Sequence, residues 1–110
     1  MDRIDHMTEF AIAGLLAAPD GWRSLVREIA ARWPDVPPLE ICFVLVSAAE
    51  AISGLIAADD PSQDAGAQAW RLAALLSADL YAMEQLGLPR ARAADLFGYW
   101  KDHDSYFIDL

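Results

Sequence analysis

The sequence has few of the residues from which catalytic and metal sites are built. Its 110 residues include one cysteine, Cys42, and two histidines, His6 and His103, which lie near opposite ends of the chain. A metal site needs several ligands brought together. No serine lies in a nucleophile-elbow pattern, and no glycine-rich phosphate loop occurs. We therefore expect no enzyme activity, no cofactor and no metal ion.

Positive charge is scarce as well. Eight lysines and arginines stand against 17 aspartates and glutamates, which gives a formal net charge of −9. Nucleic-acid binding requires clustered cations that neutralise phosphates, so we expect no nucleic-acid partner.

The first ten residues carry Asp2, Asp5 and Glu9 rather than the cations of a signal peptide. We expect a cytoplasmic protein, with residues 1–6 as a disordered or added extension.

Strand-like alternation is missing, and long apolar stretches take its place. Between residues 39 and 58 only Glu40, Ser47, Glu50 and Ser53 are polar, and they fall in or beside one narrow sector of a helix. A helix this apolar is expected to be surrounded by other parts of the protein. Its length approaches that of a membrane span, but the two glutamates and the lack of a basic flank argue against a membrane partner.

Hydrophobic periodicity and turn signals predict a single all-α domain that covers the whole chain. We expect a compact four- to five-helix bundle with two long central helices, the third and fourth along the chain. Gly87 is predicted to end the second long helix, because glycine is favoured just beyond a helix C-terminus. The predicted elements are helices at about 8–18, 21–33, 38–58, 64–86 and 89–103, and a short C-terminal tail at 105–110.

The 21–33 segment has the cleanest helical pattern. Large apolar residues recur at i, i+3, i+4, i+7 and i+11 from Trp22 to Trp33 and form one continuous face, with three arginines expected outside. Residues 35–64 contain six acids and no base. Separated charges of this kind suit docking to a complementary protein surface. The arginines that we take as interface candidates are Arg23, Arg27 and Arg32.

Three carboxylates leave a small-ligand or enzymatic site open as a less favoured alternative. Glu50 could meet Asp79 or Glu84 across the two long helices. Arg71 or Arg23 would then hold an anionic ligand, with Glu50 or Asp79 as the acid–base group. Isolated buried carboxylates are costly and rare, so we expect Glu50 on a thin solvent-facing stripe instead.

The C-terminal region is predicted to carry the protein interface. Four large apolar side chains occur there within nine residues, and aspartates surround them as a polar rim surrounds an aromatic anchor. The alternative is that this segment folds back into the core of its own monomer. The four interface candidates are Trp100, Tyr106, Phe107 and Ile108.

Three functions are consistent with these observations. The favoured one is a small acidic interaction factor of the immunity, inhibitor or regulatory type, which binds a protein partner without catalysis. The second is a homodimeric structural or scaffolding bundle. Four tryptophans and an almost wholly apolar helix provide more apolar surface than so small a core is expected to bury, and a second subunit would cover the excess. The third is the small-ligand-binding or enzymatic bundle with a carboxylate site.

Overall fold

The computed structural model describes residues 2–110, which form six α-helices and no strand. The prediction of an all-α bundle with two long central helices is confirmed, with α3 and α4 spanning 18 and 23 residues. The helices are α1 (Arg3–Ala17), α2 (Trp22–Arg32), α3 (Pro38–Leu55), α4 (Gln63–Gln85), α5 (Ala94–Asp102) and α6 (Tyr106–Asp109).

Helix α1 begins five residues earlier than its apolar pattern predicts. Asp2 caps it, since the Asp2 carboxylate accepts a hydrogen bond of 2.9 Å from the backbone N–H of Asp5. The next residue, Arg3, connects α1 to α3, because its guanidinium lies 2.7 Å from the Glu40 carboxylate. Residues 3–6 therefore belong to a packed helix rather than to a disordered extension, and Met1 lies outside the described residues.

The last predicted helix is shorter than expected and is followed by an additional one. The segment before α5 forms hydrogen bonds to the proline-rich connector between α2 and α3 instead of forming a helix. The Ala93 N–H donates to the Val36 carbonyl at 2.7 Å, and the Ala94 N–H donates to the Pro34 carbonyl at 2.9 Å. Helix α5 therefore starts at Ala94 rather than at residue 89. The predicted tail contains the short helix α6.

The end of α4 matches its prediction. Gly87 adopts a φ of +69°, a left-handed conformation that glycine tolerates without a side-chain clash. The Leu88 N–H then donates to the Met83 carbonyl at 3.0 Å, which closes the helix in the manner of a Schellman motif.

Helices α3 and α4 form the antiparallel centre of the molecule. The Cys42 thiol lies 3.9 Å from the Ala73 carbonyl, and Gly66 of α4 packs where an added Cβ would come 3.2 Å from the Ser53 hydroxyl. Helix α1 packs mainly on α3, α2 packs on α1 and α4, and α5 and α6 pack against α2 and each other. One side of the α3–α4 pair is thus covered by the other helices.

Candidate protein interface

The second side of α3 is apolar and open to solvent. Leu39 is 69% exposed and Phe43 is 56% exposed, whereas Val46 is half-buried. These residues, with Glu50 beyond them, are spaced by four, three and four, so they form one stripe along the helix. The expectation that α3 is surrounded was therefore wrong for this side, because none of the helices described for residues 2–110 covers it.

Helix α4 supplies a second stripe beside the first. Trp70 is 44% exposed and Tyr81 is 66% exposed, and Ala74 and Ser77 are exposed between them at the same helical spacing. Leu39 lines a shallow cavity together with Ser77 and Tyr81, so the two stripes adjoin. We name the combined surface the outer face; it consists of Leu39, Phe43, Val46, Trp70, Ala74, Ser77 and Tyr81.

Charged residues lie only at the two ends of the outer face. Glu50 follows the α3 stripe at the end where Trp70 lies, because the helices run antiparallel. Glu84 and Arg90 line the cavity at the opposite end. Neither Glu50 nor Arg90 forms an ion pair with another described residue, since the ion pairs of residues 2–110 are Arg3–Glu40 and Arg92–Asp35.

The C-terminal candidates lie largely inside the molecule. Trp100 has no exposed surface and Phe107 is 1% exposed, and their ring centroids are 5.4 Å apart. Tyr106 is half-buried and Ile108 is 39% exposed. The expectation of an external aromatic anchor thus fails for Trp100 and Phe107, and the structure matches the alternative in which this segment folds back over the core.

The three arginines of α2 differ in their surroundings: Arg23 and Arg32 are exposed, as expected, whereas Arg27 is half-buried. The Arg27 guanidinium donates hydrogen bonds to the backbone oxygens of Phe107 at 3.2 Å and Leu110 at 2.8 Å. Arg27 is part-buried and ties the C-terminal segment to α2, which the sequence pattern did not predict. The other two arginines lie over aromatic rings, Arg23 5.1 Å from the centroid of Trp22 and Arg32 5.2 Å from that of Phe10.

Among residues 2–110, Asp79 is the one buried carboxylate. It is 6% exposed, and its Oδ2 accepts a hydrogen bond of 3.0 Å from the Trp100 indole N–H. Burial raises the pKa of Asp79 to about 6; the Trp100 hydrogen bond lowers it in part, and the charge of Asp104 raises it further. Burial likewise raises the pKa of the Cys42 thiol to about 11. Cys42 is therefore protonated at neutral pH and serves as a small core residue.

The three carboxylates considered for a ligand site do not converge. Glu50 and Glu84 are exposed at opposite ends of the outer face, whereas Asp79 faces Trp100 of α5. Arg71 and Arg23 instead flank the Trp22 ring, on the side of α4 that faces α2. Within residues 2–110, no three His, Cys, Asp or Glu side chains lie together in a way that could hold a metal ion.

Sequence reasoning missed the outer face because apolar periodicity does not show which side of α3 and α4 the other helices leave uncovered. A usable signal was present: α3 is apolar around most of its circumference, and only a few short helices are available to cover it. No protein-family model, curated protein or solved structure matches the chain. The function must therefore be inferred from this surface and from the groups around it.

Proposed function

We propose that this chain is a small, acidic, cytoplasmic interaction factor that binds a protein partner through the outer face and performs no catalysis. The observation that supports this is the set of four large apolar side chains on one uncharged surface, each between 44% and 69% exposed. Contiguous apolar patches of this kind mark interaction sites in soluble proteins. In this proposal the chain acts by binding, as a regulatory, inhibitor or immunity factor.

The composition of the outer face fits an interface core. Aromatic residues are enriched and charged residues depleted at the centre of protein interfaces, and Phe43, Trp70 and Tyr81 provide three aromatic rings. Tryptophan and tyrosine are among the residues that dominate binding energy. Full burial of an apolar side chain contributes about 1.5–3 kcal/mol, and roughly half of that is still to be gained at each of these partly exposed residues. The four together therefore offset several kcal/mol of the entropic cost of association, which is about 4–15 kcal/mol.

Other classes of partner fit this surface less well. A membrane surface or a nucleic acid would favour lysines and arginines around the apolar residues, but Glu50 and Glu84 lie at the ends of the outer face beside the single cation Arg90. By length and composition alone, α3 passes the test for a membrane span, with a mean hydropathy of 1.6. Its inner side packs in the core of a helical globule, which supports the protein-partner interpretation.

Site-specific photocrosslinking tests the proposal. Benzoylphenylalanine is introduced at Phe43 or Tyr81 in cells that carry the native gene, and adducts are identified by mass spectrometry. Leu55 is the matched control, because it is 85% exposed on the same helix and lies about 120° around the helix axis from Phe43. We expect protein adducts at Phe43 and Tyr81 and few at Leu55. Equal labelling at all three positions, or none, would contradict an interface on the outer face.

A further inference from the structure

We infer that the occupant of the outer face is a second copy of this chain, packed antiparallel so that two α3–α4 pairs form a four-helix layer at the interface. The two-fold axis lies in the plane of the interface and runs perpendicular to α3 and α4. This inference rests on the proposed function, because it names the partner of the same surface.

The distribution of charge favours a second copy over a basic partner. The chain carries 17 acids, yet none belongs to the outer face, and only Glu50 and Glu84 adjoin it. A partner selected by its positive charge would dock on acidic regions such as residues 59–64. Homodimer interfaces, by contrast, are more apolar and poorer in charge than transient ones, which is the composition observed here.

The two ends of the outer face differ in charge. Glu50 lies at one end, whereas Arg90 lies beside Glu84 at the other. Neither Glu50 nor Arg90 forms an ion pair with another described residue. An antiparallel two-fold arrangement brings the Glu50 end of one copy over the end of the other that carries Arg90, the cation available to pair with Glu50. Because an isologous interface repeats every contact, this arrangement forms two Glu50–Arg90 pairs that flank the apolar centre.

The size of the outer face suits a weak dimer. The face extends about 17 Å along the helices, from Trp70 to Tyr81, and two adjacent helices cover a width of about 20 Å. The flat footprint is then roughly 340 Å² per copy, and side-chain relief and the flanking Glu50 and Arg90 enlarge the accessible area. Specific interfaces begin at about 600 Å² per partner, and smaller ones are weak or transient. Antiparallel helix pairs that stack in this way form four-helix bundles.

The first experiment measures the mass of the full chain by sedimentation equilibrium over a wide concentration series. We expect twice the monomer mass of 12.1 kDa for the wild-type chain and for the control Leu55→Asp. We expect monomers for Phe43→Asp and for Tyr81→Asp, with unchanged helical circular dichroism. Two separate variants keep the test valid if one of them fails to fold. A wild-type dimer that neither variant dissociates would overturn the inference.

The second experiment tests the antiparallel geometry by charge exchange. Glu50→Arg or Arg90→Glu alone places like charges together in both symmetric contacts, and we expect each to weaken dimerisation about three- to tenfold at low salt. The double variant Glu50→Arg/Arg90→Glu restores opposite charges and should recover the wild-type constant. Additive losses in the double variant would contradict this arrangement.

The failure of this inference can be distinguished from the failure of the proposed function. A wild-type chain that stays monomeric, while Phe43 and Tyr81 crosslink to a different protein, overturns the second copy and leaves the proposed function intact. A monomeric chain that floats with phosphatidylcholine vesicles and loses this binding in Phe43→Asp overturns both. Adducts between two copies at Phe43, but not at Leu55, support both.

Discussion

The outer face and the C-terminal segment each present four large apolar side chains, but the molecule treats them differently. In the C-terminal segment, Trp100 and Phe107 are fully covered, and Arg27 bonds to backbone oxygens to hold α6 against α2. On the outer face, all four large side chains remain at least 44% exposed. The difference arises because short helices at the end of the chain can fold onto α2, whereas no described segment lies across α3 and α4. Aromatic density alone therefore does not identify an interface; the presence of a covering element decides.

The largest expected effect comes from truncating matched tryptophans in the two regions. Trp100→Ala removes a side chain with no exposed surface and leaves Asp79 without its N–H donor, so it should lower the free energy of unfolding by about 3–5 kcal/mol. Trp70→Ala should cost about 1 kcal/mol or less in the monomer. Urea unfolding at low protein concentration measures both. Equal costs for the two variants would remove the distinction between a covered and an open region.

The second prediction concerns the pH dependence of the covered region. The folded pKa of Asp79 is about 6, whereas an unfolded aspartate has a pKa of about 3.9. The folded state therefore binds an extra proton between these values. Stability from this group is present below about pH 4 and is lost as the pH rises through 6, by about 2–3 kcal/mol in total.

Asp79→Asn isolates this contribution because its amide oxygen still accepts the Trp100 N–H. We expect the variant to be more stable than wild type above pH 6 and to match it near pH 4. Urea unfolding from pH 4 to 8, expressed as the difference between the two proteins, removes the effect of the other carboxylates. A difference that does not change with pH would mean that Asp79 is solvated in the folded state.

The third prediction tests what holds the C-terminal segment in place. Arg27→Ala removes two hydrogen bonds to the backbone oxygens of Phe107 and Leu110, and we expect a loss of about 1–2 kcal/mol. Amide exchange should accelerate in α6 more than in α4. Arg23→Ala is the control, because Arg23 is exposed over the Trp22 ring and its loss should change stability little. Unchanged exchange in α6 would show that packing of Phe107 alone is sufficient.

The fold could be predicted from the sequence wherever the signal was local. The buried side of α2 is formed by Leu25, Val26 and Ile29 as its periodicity indicates, and Gly87 ends α4 as expected. The start of α5 could not be predicted, because it depends on backbone hydrogen bonds to a connector more than fifty residues earlier in the chain.

The candidate site was missed for a related reason. Sequence periodicity shows that a side chain such as Phe43 or Tyr81 belongs to an apolar stripe, but not which stripe receives a neighbour. Helix α3 is apolar on both its covered and its open side, so its own pattern cannot separate them. The same limit applies to Trp100, whose burial depends on the later turn that brings α6 back against α2.

The smallest expected effect lies at the edge of the open region. Glu50 is exposed on α3 and forms no ion pair with any residue that the structure describes, so Glu50→Gln should change the unfolding free energy by about 0.5 kcal/mol or less. Thermal and urea unfolding of dilute protein measure the monomer without a contribution from association. A loss of several kcal/mol would show that the Glu50 carboxylate is held by the monomer itself, which would bring back a carboxylate site across α3 and α4. A negligible loss, together with weaker association at high concentration, would place the role of Glu50 between molecules rather than within one.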